Sequence, residues 1–519
     1  MNASIAGLPS RKLALEILIK VDKNKSYSNL ALNAAFQRKV LSERDRAFVT
    51  ALVQGVMRNR LHLDDEISKI SKLPLPKLAL SVLNNLRLAI FQLEQMSDIP
   101  QSAVLNVSNE LAKVTGHKGH ASFVNGILRN YIRAQADRGD HSESSGGTDD
   151  SGSASTASSD STGGSDSSGG SNSTTAGSTN GTTDSDSTVA GARTVARMGP
   201  AVASKDYSVP DWLADRWLKN FGAHEAQQLL KYAVSTPKVI VRTCESAITP
   251  QGLQDIFAAK GIKCLRGKLV DACLIIEKMK GPTEKLPGYA DGLFIVQDES
   301  SAFASLVVAP EKGDQIIDLC AAPGGKALHM AELLENTGRV LAVDKSATRL
   351  NLIKKNRIRL GLKNLETAVA DGREYVANVA ADRVLIDAPC TGTGVINRRA
   401  DLRYRKESDD IESLVELQRE LLSNGAKLLK AGGILVYSTC SLEPEENFDN
   451  IRWFLNEFAD FEGDDFSYLV PEEIRAQCEP TSGPLCKTAA EMNRLCMLQL
   501  MPTRHGVSGF FVAKLRKKA

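Results

Sequence analysis

No uninterrupted apolar run in this 519-residue chain approaches the roughly 18 residues that a membrane helix needs, so no membrane span is expected. The start, Met1-Asn2-Ala3-Ser4-Ile5-Ala6, lacks the basic-then-apolar layout of a secretory leader, and the expected compartment is the cytoplasm, where thiols stay reduced. None of the nine cysteines forms a C-x-x-C pair. Cys478, Cys486 and Cys496 have no His or Cys partner at finger-like spacing, which argues against structural zinc, and no metal is expected.

What is present is the composition of a soluble globular protein, 42% hydrophobic and 24% charged, long enough for about two to four domains with cores of their own. The net charge of +2 hides a sharp division. Residues 1–136 carry 19 Lys/Arg against 10 Asp/Glu, a net charge of +9, whereas residues 137–190 carry 1 against 9, a net charge of −8. A basic domain of this kind is the usual footprint of a polyanionic partner.

Helical spacing of Leu13, Ile17, Leu18 and Val21, of Leu30, Ala34 and Ala35, and of Leu80, Leu83, Leu86 and Ile90 predicts an all-helical bundle over residues 1–136. Leu73-Pro74-Leu75-Pro76 and the stretch from Gly116 to His120 interrupt it, and there His117 and His120 read as polar loop residues rather than phosphate ligands. Residues 137–198 are Ser, Gly, Thr and Asp with almost no aliphatic side chains, a composition that cannot bury enough apolar area to offset chain entropy. A disordered linker is expected. Residues 199–290 read as a small α+β unit with strands at Val239-Ile240-Val241 and Leu274-Ile275-Ile276, and Asp298-Glu299-Ser300-Ser301 then opens a capped helix. From there to 519 the chain alternates strand and helix, with strands at 315–319, 339–344, 383–387 and 433–439. That rhythm predicts a parallel, doubly wound, Rossmann-like α/β sheet.

The chemistry gathers at the ends of those strands, where open α/β sheets collect ligands. Cys320-Ala321-Ala322-Pro323-Gly324-Gly325-Lys326 is a small-residue turn between a strand and a helix, but its spacing is neither G-x-G-x-x-G nor the P-loop pattern, which disfavours a dinucleotide or triphosphate. Asp344 ends the next strand, where a carboxylate accepts hydrogen bonds from ribose hydroxyls, and Asp371 follows at a position suited to an adenine amino group. In this order the three features favour S-adenosyl-L-methionine over a nicotinamide cofactor. Two further strands end in thiols, Cys390 in Asp387-Ala388-Pro389-Cys390 and Cys440 in Tyr437-Ser438-Thr439-Cys440-Ser441. Carbon 5 of a pyrimidine is too weak a nucleophile to take a methyl group unaided, and addition of a thiolate at carbon 6 makes it one. One cysteine would add, a second could supply or assist the base that releases the enzyme, and Asp387 could hydrogen-bond the ring. An exocyclic-amine methyltransferase would instead want an Asn/Asp-Pro-Pro-aromatic strand end, which Asp387-Ala388-Pro389-Cys390 does not fit.

The Cys320–Lys326 motif, the stretch from Asp387 through Thr391-Gly392-Thr393-Gly394, and Ser438-Thr439-Cys440-Ser441 resemble the signature motifs of the Sun family of RNA 5-methylcytosine methyltransferases. The helical N-terminal part resembles the NusB fold, and the combination is similar to the family's bacterial branch acting on small-subunit (16S) ribosomal RNA. The resemblance covers most of the chain except the Ser/Gly-rich linker and a segment from about Phe461 to Cys496. It implies cofactor contacts at Cys320, Ala321, Ala322, Pro323, Gly324, Gly325, Lys326, Asp344, Asp371 and Asp387, with Cys440 as nucleophile, Cys390 assisting release and Lys326 orienting the acidic groups or a phosphate. Arg242 and Gln297-Asp298 match positions expected to line the cleft, whereas Thr243, Ala400 and Ser508 depart from the family pattern. The expected partner is RNA presenting an unpaired or flipped-out cytosine, and the expected state is a monomer. The same reaction on transfer RNA, or a non-catalytic role in ribosome assembly, are the competing readings. Intact Cys390, Cys440 and Asp387 argue against the second.

Overall fold

Hydrophobic spacing in the first 130 residues produces helices that cover one another. A computed structural model describes residues 7–115, 118–143, 204–279, 281–477 and 496–519. Seven helices come first: α1 (Leu8–Asn24), α2 (Ser28–Arg38), α3 (Glu43–Arg58), α4 (Arg60–Ile70), α5 (Leu80–Gln95), α6 (Gln101–Thr115) and α7 (Lys118–Glu143). The Ser42 side chain caps α3 by accepting from the Asp45 N–H at 3.1 Å, and Val49, Leu52, Val53 and Val56 bury one stripe of that helix. α5 is the centre of the bundle, with Val82 to Gln92 all buried. Its Arg87 is held by Asp64 at 2.7 Å and Asp22 at 3.0 Å, which makes the buried charge tolerable. On α2 the expected face is out of phase: Leu30 is 59% exposed, and Ala31 and Leu32 are the buried apolar residues. α7 runs past residue 136, the expected end of the bundle. The remainder of the acidic linker, together with His117, Cys478 and Cys486, lies outside the described residues.

The described residues up to Tyr131 and from Ser204 onward form one compact unit. α8 (Asp211–Val234) leads into a small antiparallel sheet of β1 (Val239–Thr243), β2 (Cys264–Arg266), β3 (Cys273–Ile276) and β4 (Phe294–Val296), in the order β2-β3-β1-β4. α9 (Pro250–Ala259) packs Leu253 and Phe257 against Val241, Leu274 and Phe294 of that sheet. α10 (Glu299–Val308) then begins at Asp298, whose side chain accepts from the Ser300 N–H, as the capping pattern predicts.

The large sheet contains β5 (Gln315–Asp318), β6 (Arg339–Asp344), β7 (Leu365–Val369), β8 (Ala381–Asp387), β9 (Leu429–Thr439), β10 (Phe461–Gly463) and β12 (Phe510–Lys517), with β11 (Met497–Leu500) paired to β12. Its order is β10-β12-β9-β8-β5-β6-β7, and α11 (Gly325–Leu333), α12 (Ala347–Arg359), α13 (Asp410–Leu428) and α14 (Phe448–Glu457) cross between or cover its strands. β5 to β9 run parallel, as expected. The sheet as a whole is mixed, because β12 joins β9 antiparallel, with Phe511 opposite Thr439. No strand was expected after 439. The segment joining β11 to β12 holds only the short α16 (Pro502–His505), too little chain for a parallel crossover, so these two strands pair antiparallel. α15 (Glu472–Ala476) precedes this edge.

The turn Ala400–Tyr404 helps tie the helical bundle to the rest of this unit. The Asp401 carboxylate accepts from the Ser28 hydroxyl at 2.8 Å. Fully buried Arg403 donates to the carbonyls of Arg58, Ser208, Ala233 and Ile396 at 3.1, 2.9, 2.7 and 3.1 Å. Arg403→Met keeps the volume but leaves those acceptors buried and unpaired, so we expect a loss of about 3 kcal/mol, read as a lower urea midpoint. An unchanged midpoint would show that the turn is not a structural joint.

Candidate active site

Strand order reverses between β5 and β8, and the crevice outside the strand ends at such a switch point is where doubly wound sheets bind ligands. A cavity of about 780 Å³ lies there. The expected cofactor and catalytic residues line it: Cys320 to Lys326 after β5, Asp344 after β6, Asp371 after β7, Asp387 and Cys390 after β8, and Cys440 after β9. Gln297 and Asp298 line it too.

The turn after β5 has the shape of a cradle. Gly324 has φ +107°, and a Cβ there would sit 2.6 Å from Ile353, so this position excludes side chains on both conformational and steric grounds. Asp344 fastens the turn by accepting from the Ala322 N–H at 3.1 Å, and its other oxygen accepts from the Ser346 N–H at 2.8 Å. Each oxygen keeps acceptor capacity for a ligand hydroxyl. Asp371 is tied down by Arg373, at 3.0 Å from its N–H and 2.8 Å from its guanidinium, and these hydrogen bonds pull its carboxyl down to about 2. It is an anion across the physiological range. Asp318, the last residue of β5, is fully buried and has one carboxylate oxygen without a hydrogen-bond partner among the described residues. Burial, with the nearby Asp387 charge, pushes it up to about 8. A buried carboxyl group with one unpartnered oxygen, lining the cavity beside a glycine-shaped cradle and an acidic strand end, fits the adenosine-type cofactor expected from the sequence.

On the other side of the switch point, Lys326 Nζ pairs with Asp387 at 2.7 Å, and Asp387 also accepts from the Ser438 hydroxyl at 2.9 Å. The Cys390 and Cys440 sulfurs lie 3.4 Å apart. Their surroundings are unequal. The contact with Cys440, then burial and the Glu446 charge, push the Cys390 thiol well up, whereas the hydrogen bond from Cys390 and the positive charges of Arg399 and Lys326 pull Cys440 down. Burial pushes up Cys320, Cys273 and Cys244, the last to about 12, so these behave as small apolar side chains. The loop between the thiols is tightly drawn: Gly394 donates to the Cys440 carbonyl at 3.0 Å, and a Cβ on Gly394 would lie 2.3 Å from the Gly509 carbonyl oxygen.

Arg242 does not line the cavity. It is wholly buried on β1, where it donates to Gln297 at 2.9 Å and Glu332 at 2.6 Å and so supports the cavity wall from behind. Ser508 accepts from Arg398 at 3.0 Å and donates to Asp298 at 2.8 Å. Thr243 is buried in β1, and Ala400 opens the turn that meets the bundle. Among the lining residues that sequence reasoning did not single out are Asp318, Arg398, Arg399 and Tyr27. Asp318 was readable as a strand end, and the basic pair follows the Gly-rich loop. Tyr27 comes from the helical bundle and carries the Arg405 guanidinium 3.9 Å from its ring centre, a neighbour no local pattern reveals. Among the described residues, no group of three or more His, Cys, Asp or Glu is arranged to hold a metal ion, and no helix is long and apolar enough to cross a membrane.

Three family models match the chain: the NusB family over residues 8–133, the RsmF/B-like ferredoxin-like domain over 209–281, and the 16S rRNA methyltransferase RsmB/F over 305–516. The probable ribosomal RNA small subunit methyltransferase B of Bacillus subtilis is 32% identical, covering 98% of each chain. A methyltransferase homolog protein from Pyrococcus horikoshii is 32% identical at a TM-score of 0.52, covering 60% of this chain and 96% of its own. NSun6 from Pyrococcus horikoshii, solved with SFG, is 25% identical at a TM-score of 0.51, covering 60% of this chain and 98% of its own. With its full length matched by a small-subunit rRNA methyltransferase relative, and its strand-end cavity built from the motifs described above, the chain belongs to the RsmB/F family of 16S rRNA methyltransferases.

Proposed function

We propose that this enzyme methylates carbon 5 of a cytosine in small-subunit ribosomal RNA, using S-adenosyl-L-methionine and a transient covalent bond from Cys440 to the base. The observation that most supports this reading is the pair of thiols 3.4 Å apart, opening on the same cavity as the Cys320–Lys326 cradle. Cys320 to Lys326, Asp344 and Asp371 would hold the cofactor, and its bound form supplies an electrophilic methyl group. The Cys440 thiolate adds to carbon 6 of the cytosine, and the electron pair released into the ring makes carbon 5 the nucleophile. Asp387 would pass a proton to N3 of the ring as Cys440 adds, and Lys326, 2.7 Å away, then balances the carboxylate charge left behind. After transfer, the carbon-5 proton leaves to a base that Cys390 supplies or assists, and the Cys440–carbon 6 bond breaks to restore the aromatic ring.

A base stacked within a duplex hides both ring faces, so the substrate cytosine is unpaired or flipped out. Arg398, Arg399 and Lys406 at the cavity suit the phosphates around it, and the bundle's basic surface extends that field. The test is to incubate the purified protein with small-subunit RNA and methyl-labelled cofactor, digest to nucleosides and identify the label by mass spectrometry. We expect 5-methylcytidine. Label in any other nucleoside, or only when transfer RNA replaces ribosomal RNA, would overturn the proposal.

A further inference from the structure

Glu446 does not line the cavity, is wholly buried, and its carboxylate contacts the residue that follows each of the two thiols. One oxygen accepts from the Thr391 N–H at 2.9 Å and the Gln418 amide at 3.0 Å. The other accepts from the Thr391 and Ser441 hydroxyls, each at 2.5 Å. Thr391 follows Cys390, and Ser441 follows Cys440. Gln418 extends the clamp by donating to the Pro389 carbonyl, just before Cys390, at 2.8 Å. The backbone also anchors the far side, since the Tyr437 hydroxyl donates to the Glu446 carbonyl at 2.7 Å. All the donors to the carboxylate are neutral, so this buried group is held by hydrogen bonds alone.

We infer that Glu446 is a positioning residue, a single carboxylate that clamps the Cys390 and Cys440 loops together and so sets the separation of the two thiols. The inference rests on the proposed roles of Cys440 and Cys390. Its physical basis is that these loops end different strands, β8 and β9, and 50 residues separate the thiols in sequence. Strand pairing aligns the loops only up to Asp387 opposite Ser438. Beyond that register the loops are held by the backbone bond from Gly394 to the Cys440 carbonyl and by the side chains gathered on Glu446, and a shift of about 1 Å at reacting groups can cost roughly 10²-fold in rate. The carboxylate also contributes to keeping Cys390 protonated, through its charge.

The test compares Glu446→Gln and Glu446→Ala with the full-length wild type and a Cys440→Ala control. Gln retains the shape and one acceptor oxygen but removes the charge, so it preserves packing if the alanine variant misfolds. We expect kcat to fall about 10²-fold in Glu446→Ala and less in Glu446→Gln, with KM for RNA and cofactor affinity within about twofold of wild type. Partial rescue of kcat in Glu446→Gln at unchanged KM is a split that lost packing alone would not produce. Wild-type kcat in both folded variants, with an inactive Cys440→Ala control, would overturn the clamp. An active Cys440→Ala control would instead overturn the nucleophile assignment on which the clamp rests.

Discussion

Replacing Cys440 by alanine is expected to lower kcat for methyl transfer by at least ~10⁴-fold while cofactor affinity stays within about twofold. The asymmetry of the thiol pair is the reason. Cys440 shares a hydrogen bond with Cys390 and lies near the positive charges of Arg399 and Lys326, and together these favour its thiolate. No neighbour is ready to replace it, because burial and neighbouring negative charge hold both Cys390 and Cys320 as thiols. The cofactor cradle and Asp344 are untouched by the substitution, so binding and chemistry separate cleanly. Titration calorimetry and a single-turnover assay check the two halves, and substantial residual turnover would remove Cys440 from its role. In the wild type, a lowered thiol means that kcat/KM rises with pH through the Cys440 ionisation and falls below it, close to tenfold per pH unit once the thiolate is the minor form.

Cys390→Ala is expected to have the second-largest effect and a different signature. Addition of Cys440 to the base still occurs, but release of the enzyme fails, so a denaturation-resistant RNA–protein adduct accumulates and steady-state turnover falls at least ~10²-fold. Loss of the hydrogen bond from Cys390 also lets the Cys440 thiol return upward, so the adduct should form faster as pH is raised. A denaturing gel reads the adduct directly, and Cys440→Ala combined with Cys390→Ala should not show it. No adduct on RNA that the wild type methylates would count against the assignment.

Much of the architecture was legible because it rests on local rules. The strands at 339–344 and 383–387, the capped helix from Glu299 and the Gly-rich turn at 320–326 all follow from apolar runs, cap residues and glycine geometry that short windows contain. Failures came where tertiary packing overrode such windows. Leu30 satisfies the helical period of α2 yet faces outward, since the phase of an amphipathic stripe depends on which neighbour covers it. The antiparallel β12 was missed because it adds to a sheet edge left free by β9, a strand far back in the chain. Arg242 was placed in the cleft by family likeness, but a buried partner in Glu332, 90 residues away, draws it behind the wall.

By itself the sequence determined which chemical groups could meet: two thiols, three strand-end carboxylates, a lysine and a turn free of side chains, each placed at a strand terminus by its own local pattern. Their unequal roles were decided only in three dimensions. The 3.4 Å separation of Cys390 and Cys440, the lowering of one and the raising of the other, the strongly raised Asp318 and the contribution of Tyr27 from the helical bundle come from residues far apart in the chain. Desolvation and charge interaction depend on distance through space, which the order of residues along a chain does not contain.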